Sequence, residues 1–368
     1  MENLKVIISK YHYAKKPALL VSLLLFVPLG IISVFYGIII ISKNFLYSIK
    51  ILKEKKVKPY VICVGNLTTG GVGKTPIVCE LANYCANELK KKTAVISRGY
   101  GAKLNNKNVN IIKDYTKTYY DDGAICGDEA LLCAQNTKNC IVLTSKNRVE
   151  AAQLAYKNYG CEVVVLDDGF SNRKIKKDFT ILTIDSKKQF SNGFLLPLGA
   201  LREPLGESKR ADYAVISNKG DENILENKKE ILEKIKTKKS VICNFTQGGF
   251  YNIKNGLEVQ INNKKVIAFC AIGQPQQFYN YLKKSLNLVY AETFCDHYSY
   301  TQDDIEKIVK KARELNVDTI ITTQKDEVKI KQYVKNISAI NFLSMKLCAN
   351  FTDNGLFYAL ERGIKNET

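Results

Sequence analysis

The sequence predicts an α/β protein with two lobes, each built on a parallel sheet, preceded by an N-terminal membrane helix. Three observations carry this expectation. Short uninterrupted apolar runs alternate with helical patterns, as in strands covered on both faces. Residues 18–42 hold no charge over 25 positions, whereas a spanning helix needs about 20. The chain has 368 residues, enough for two domains at roughly 150 residues each.

The apolar run is mostly Leu, Ile, Val and Phe. Lys10, Lys15 and Lys16 precede it, and Lys43, Lys50, Lys53, Lys55, Lys56 and Lys58 follow. It starts too late and runs too long for a cleaved signal peptide. Pro28 and Gly30 lie mid-run, which allows a kinked span or a shallow helical hairpin; the competing reading is a buried core helix. The larger lysine count on the C-terminal side places the rest of the chain in the cytoplasm, and those lysines suit anionic headgroups. Strands are predicted at 60–64, 93–96, 141–144, 162–166, 179–184 and 213–216, with helices at 76–90, 128–135 and 145–158. A charged helix at 222–238 leads to a second block. There, Asn255-Gly256 between alternating residues signals a hairpin in 249–263. Strands at 266–271, 288–294 and 319–322 follow, with helices at 276–286 and 302–315. The expected division is a membrane-anchoring region over 1–58, a first lobe over 59–245 and a smaller second lobe over 246–368. A hairpin linker joins the lobes, with a cleft between them.

Lys and Arg number 55 against 36 Asp and Glu, a net charge of +19. Nucleic acid, an anionic membrane face and phosphorylated substrates are all compatible with that sum. A general lean toward Lys, Ile and Asn supplies part of it, so charge alone decides nothing. The 11 cysteines form no C-x-x-C pair and there are only two histidines, which argues against a zinc site. The cysteines mostly lie in or beside apolar runs and read as small buried hydrophobes in a reducing compartment.

The chemistry is that of phosphate. Thr69-Gly-Gly-Val-Gly-Lys-Thr75 follows a strand and opens a helix, the context of a phosphate-binding loop, so the lobes are of the Rossmann-like P-loop kind. Gly70, Gly71 and Gly73 permit positive φ and let backbone N–H groups face an anion. Lys74 reaches the β- and γ-phosphates, Thr75 holds Mg²⁺, and the helix dipole adds attraction. Thr68 stands where the usual pattern has its first glycine. Residues 162–169 form an apolar strand ending in Asp167-Asp168, where a Mg²⁺-binding carboxylate belongs. Gly127-Asp128-Glu129 opens a helix and offers a carboxylate to accept a hydroxyl proton, although acids in a first turn also simply complement the dipole. Asp296-His297 follows a strand, and Asp296 can orient or charge the histidine.

Taken in order, these motifs resemble the tetraacyldisaccharide 4′-kinases of lipid A synthesis. The resemblance covers Val64 through Pro76, Ser97-Arg-Gly-Tyr-Gly101, Gly127-Asp-Glu129, Asp167-Asp-Gly-Phe170, Leu195-Leu-Pro-Leu-Gly-Ala-Leu-Arg-Glu-Pro204, Arg210-Ala-Asp212, Asp296-His297 and Thr323-Gln-Lys-Asp326. Thr68 is itself that family's habit. Two departures stand out: Ser171-Asn172-Arg173 replaces the usual Gln-His-Arg, and Ala200 sits beside Gly199.

The resemblance implies an inner-membrane enzyme with its catalytic lobes on the cytoplasmic side. It would use ATP and Mg²⁺ to phosphorylate the 4′-hydroxyl of a tetraacylated glucosamine disaccharide 1-phosphate. Asp128 is implied as catalytic base and His297 as its supporting partner, with Lys74, Glu129 and Arg202 in the catalytic set. Thr68, Thr69, Gly70, Gly71, Val72, Gly73, Lys74, Thr75, Arg98 and Arg148 are implied at the nucleotide, Glu203 at the active site, and Thr75, Asp167 and Asp168 at the metal. The partners expected are the lipid substrate and the membrane, with no nucleic acid, and the protein is expected to be a monomer. The alternative is a membrane-associated regulatory ATPase of the deviant-Walker class, whose loop carries an extra lysine where this chain has Thr69.

Overall fold

A computed structural model describes residues 19–367 apart from Asn106, Lys238 and His297. The described residues begin with helix α1 (Leu19–Ser48), strand β1 (Tyr60–Gly65) and helix α2 (Lys74–Asn83), which ends in a π turn at Tyr84–Glu88. Next come β2 (Thr93–Ser97), β3 (Asn110–Lys113), the single turn α3 (Gly123–Cys126), α4 (Asp128–Asn136), β4 (Cys140–Thr144) and α5 (Arg148–Tyr159). Then follow β5 (Val163–Asp167), β6 (Phe179–Asp185), β7 (Tyr213–Asn218), α6 (Ile224–Lys234), β8 (Ser240–Asn252), β9 (Glu258–Val259) and β10 (Lys265–Cys270). The chain closes with α7 (Pro275–Ser285), β11 (Asn287–Thr293), α8 (Gln302–Glu314), β12 (Thr319–Thr323), α9 (Gln324–Val334), β13 (Asn341–Phe351) and α10 (Gly355–Glu367).

The expected α/β class is observed. The strands are mainly parallel and β1, β2, β4, β5, β6 and β12 are buried at every residue, which explains their continuous apolar sequences. The predicted hairpin is also present: β9 pairs antiparallel with β8, Phe250 facing Val259, with Gly256 at φ 72° in the turn. Local signals set several helix ends. Asn147 caps α5, which stops at Gly160 with φ 67°, and Thr301 with Asp304 forms a capping box on α8. The helix expected to run to residue 90 leaves the α path at Tyr84.

By internal contacts the chain forms two compact units. The first contains residues 1–74, 162–243 and 351–368; the second contains 75–161 and 244–350. In the first, parallel strands run in the order β7-β6-β1-β5. Its core packs Leu67, Phe170, Leu182, Ile216 and Ile231 together. In the second, β2 and β4 are parallel with β3 antiparallel at their edge, and β11-β10-β12-β13 form a parallel set. Phe269, Ile305, Ile320 and Phe342 lie in its core.

Helix α1 is continuous through Pro28, which removes the hairpin alternative. It is one helix, among the described residues, long and apolar enough to cross a membrane. Its two sides differ. Phe26, Val27, Ile31, Phe35, Ile38, Ile39 and Phe45 are exposed, whereas Ser33, Gly37 and Asn44 are buried against the first unit. Of the 11 cysteines all are free thiols, and only Cys295 and Cys348 are not buried. Burial pushes the Cys85, Cys126 and Cys140 thiols up to about 12, as expected of packing residues.

Candidate active site

In the first unit, β1 delivers the glycine-rich loop at its carboxyl end. Gly65 is obligatory there, because an added Cβ would lie 2.5 Å from Phe170 Cβ and 2.8 Å from the Phe170 backbone nitrogen. Asn66 is buried and organises the turn: its side chain donates to Thr68 O at 2.6 Å and accepts from Lys74 Nζ at 3.1 Å. Thr68 pairs with Leu201, and Thr69 N donates to Ala200 O at 2.8 Å. Gly70 and Gly73 have φ of 101° and 84°, as expected. Gly71 does not use that freedom: its φ lies outside the left-handed region and a Cβ there would meet open space. Val72 is buried. Lys74 opens α2 and Thr75 follows it in the first turn.

Opposite Lys74 stands the acidic end of β5. Asp167 is buried beside Val64, its register partner in β1. Asp168 has φ 53°, an uncommon conformation for a non-glycine residue and one that collects at functional sites. Its carboxylate accepts two hydrogen bonds from Arg202, both 2.9 Å, and lies 3.5 Å from Lys74 Nζ. Burial pushes this carboxyl up, but the Arg202 hydrogen bonds and the Lys74 and Arg202 charges prevail and hold it well below the usual carboxylate range. Arg202 also donates to Asn66 O at 2.9 Å and to the Asn66 side chain. Lys74, Asp168, Arg202 and Asn66 thus form one charged cluster under the loop.

Two residues of this cluster's surroundings carried no sequence signal. Asn66 sat inside a motif without an assigned role. Lys219, just past β7, donates to Gly71 O in the loop and pairs with Asp185 at 3.1 Å; burial lowers its pKa against the pull of Asp185. Only its place at the carboxyl end of a parallel strand could have drawn attention to it. Glu203 is buried, accepts from Asn44 at 3.1 Å and pairs with Arg210.

In the second unit, Asp128 is the first residue of α4, preceded by Gly127 at φ 97°. A Cβ on Gly127 would come 3.3 Å from Gly99, so the 97–101 turn packs directly on this glycine. Helix α9 packs on α4 and brings Lys329 Nζ within 3.5 Å of Asp128. Lys329 is largely buried and also donates to Tyr298 O at 3.1 Å. The Gly-Asp-Glu turn and the helix that the Thr-Gln-Lys-Asp motif opens, nearly 200 positions apart, therefore meet. Glu129 lies half-buried in the same first turn, and Arg98 is exposed. Arg148 is buried and donates to the carbonyls of Ser97 and Ser145, clamping the ends of β2 and β4. Asp296 pairs with Lys325 at 3.2 Å; His297 lies outside the described residues.

The family profile described as Tetraacyldisaccharide-1-P 4'-kinase matches residues 25–365. The chain belongs to the tetraacyldisaccharide 4′-kinase family. The Tetraacyldisaccharide 4'-kinase of Halothermothrix orenii is 34% identical over 83% of this chain and 83% of its own. That of Syntrophus aciditrophicus is 31% identical over 87% of this chain and 88% of its own. The crystal structure of LpxK from Aquifex aeolicus in complex with ATP matches with a TM-score of 0.72 at 30% identity, covering 90% of this chain and 97% of that one. Membership in the tetraacyldisaccharide 4′-kinase family makes the chain a kinase and favours phosphotransfer over the regulatory ATPase.

The donor set fits the Mg²⁺–ATP such a kinase uses. Among the described residues no three His, Cys, Asp or Glu side chains are disposed around a metal. That suits Mg²⁺, which takes one or two carboxylates and completes its shell with phosphates and water. Asp168, 3.5 Å from Lys74 Nζ, offers a hard oxygen donor of that kind. The family departures are accommodated. Arg173 pairs with Glu54 at 2.9 Å and stacks on Tyr47, while Asn172 closes a turn onto Lys174 N.

Proposed function

We propose that the chain transfers the γ-phosphate of ATP to the 4′-hydroxyl of a tetraacylated glucosamine disaccharide 1-phosphate, a step of lipid A synthesis. The Lys74–Asp168–Arg202 cluster beneath a glycine-rich loop, in a member of this kinase family, is the observation that carries the reading. Lys74, the loop N–H groups of residues 70–73 and the N-terminus of α2 bind the triphosphate. Thr75 with Asp167 and Asp168 would hold Mg²⁺, whose charge neutralises the phosphate oxygens. Arg202 and Arg98 offer positive charge to the transferred group. Asp128 accepts the proton of the acceptor hydroxyl, with Lys329 3.5 Å from it and His297 in the supporting role that the family resemblance implies. Glu129 completes the acidic turn, and Arg148 supports the 97–101 turn that carries Arg98.

The exposed apolar side of α1 suits the lipid that carries the acceptor. Because Ser33, Tyr36 and Asn44 bond to the first unit, the helix lies along that unit and enters one leaflet sideways. We read the protein as a monomeric enzyme on the cytoplasmic face of the inner membrane. No nucleic acid is involved.

The test is where labelled phosphate goes. Given γ-labelled ATP and the lipid disaccharide in mixed micelles, the purified protein labels the lipid. Label appearing only as inorganic phosphate overturns the reading. Asp128→Ala removes most turnover with little change in nucleotide affinity, whereas Lys74→Ala weakens nucleotide binding as well; near-normal turnover in both variants contradicts the assignment.

A further inference from the structure

The membrane helix carries a polar stripe that anchorage does not require. Ser33, Tyr36, Gly37, Ile40 and Asn44 recur at helical spacing on its inner side. A helix that serves only to enter lipid gains from apolar residues all round, and each polar group on it weakens partition. Here the polar groups are spent on one target. Ser33 Oγ donates to Leu195 O at 2.8 Å, Tyr36 OH to Arg202 O at 2.8 Å, and Asn44 Nδ2 to the buried Glu203 carboxylate at 3.1 Å. All three acceptors lie in the segment 195–203, and a Cβ on Gly37 would come within 3.1 Å of the Leu195 side chain.

That same segment supports the phosphate loop from its other side. Arg202 N donates to Leu67 O at 2.7 Å and Ala200 O accepts from Thr69 N at 2.8 Å. The Arg202 backbone is therefore pinned twice, by its N–H to the loop and by its carbonyl to Tyr36. Its guanidinium is what grips Asp168 and Asn66 beside Lys74. A shift of the Arg202 carbonyl transmits directly to that grip, because the side chain is anchored at both ends.

We propose that α1 is a positioning element of the phosphate site as well as an anchor, and that Tyr36 is the positioning residue through which it acts. The inference rests on the reading of this cluster as the triphosphate site. It predicts that the helix tunes nucleotide binding with no bilayer present.

The experiment uses the full chain in detergent micelles. A fluorescent ATP analogue reports nucleotide Kd, and lipid phosphorylation reports kcat and the KM for lipid. Tyr36→Phe removes one hydrogen bond and keeps the ring. Nucleotide Kd is expected to rise and kcat to fall by about three- to tenfold, the usual worth of one such bond, with the lipid KM unchanged. Ser33→Ala, bonded to Leu195 and not to Arg202, is expected to give a smaller change in the same direction. Ile38→Ala on the exposed side is expected to leave nucleotide Kd and kcat alone and to weaken vesicle binding. Wild-type nucleotide Kd and kcat in a folded Tyr36→Phe protein overturn the proposal, as does an effect confined to the lipid KM, which is the mark of a mere tether. If the wild type binds nucleotide but labels no lipid, the kinase reading fails while the Kd comparison still decides this one.

Discussion

Asp168 and a triphosphate compete for the same cation, and neutralising Asp168 exposes that competition. Lys74 Nζ lies 3.5 Å from the Asp168 carboxylate. At an effective dielectric of about 20, unit charges at that distance attract by roughly 5 kcal/mol. Asp168 is 33% exposed, so solvent screening leaves about a third of this. About 1.5 kcal/mol of Lys74's attraction is then released when Asp168→Asn removes the charge, or roughly tenfold in affinity. The amide oxygen still accepts from Arg202, so the loop keeps its support. Metal-free ATP, titrated calorimetrically in EDTA, is expected to bind Asp168→Asn about tenfold more tightly than wild type. With Mg²⁺ present, turnover is expected to fall by orders of magnitude because the carboxylate proposed to hold the metal is gone. Equal or weaker metal-free affinity in the variant would refute the competition and the orientation of Lys74 on which it depends.

Three further outcomes follow from the same structure. Gly65→Ala forces a Cβ into the Phe170 backbone and should cost about 3 kcal/mol or more, read as a lowered thermal midpoint, while Gly71→Ala, which faces open space, should leave the midpoint near wild type. Asp326 is buried, accepts from Thr323 Oγ1 at 2.7 Å and from Ala271 N at 3.1 Å, and burial raises its pKa above the unfolded value; a raised carboxyl favours the folded state below the unfolded pKa of about 4 and loses that stability as pH rises through its folded pKa, so the thermal midpoint of Asp326→Asn relative to wild type should climb as pH rises above about 4, and a flat difference would show that the carboxyl is not so perturbed. Ile38→Glu places a charge on the exposed side of α1 and should release the protein from anionic vesicles in a flotation assay without changing nucleotide affinity in micelles.

What the sequence revealed, and what it hid, divides along the range of the interactions. The phosphate loop was legible because a buried apolar strand, glycines and a helix start are consecutive, and the same holds for β5 ending in Asp167-Asp168. The capped ends of α5 and α8 are equally local. By contrast, α2 gives way to a π turn at Tyr84 although its sequence continues a helical pattern. Strand β13 and helices α9 and α10 lay past the last predicted element. The structural parts played by Asn66, Lys219, Lys329 and Tyr36 depend on partners 8, 148, 201 and 166 positions away. Arg148 reads as a phosphate-binding arginine in sequence, yet its burial commits it to two backbone carbonyls.

The segment 195–203 does most of its work through the backbone. Gly199 has no room for a side chain: a Cβ would lie 2.2 Å from both Asn192 Oδ1 and Phe194 O. Ala200 is fully buried and contributes its carbonyl to Thr69, so a small residue beside the glycine keeps the contact that matters and adds no bulk. Leu201 pairs with Thr68 through the backbone, so the start of the loop is held as a bridge to this strap. Arg202 supplies the grip on Asp168, and Glu203 ties the strap to Asn44 of α1 and to Arg210. Four consecutive residues thus address the loop, the acid and α1 in turn. Substitutions here act on nucleotide binding through backbone position, so their cost should follow the loss of space or of a main-chain hydrogen bond more than the loss of any charged group except Arg202 itself.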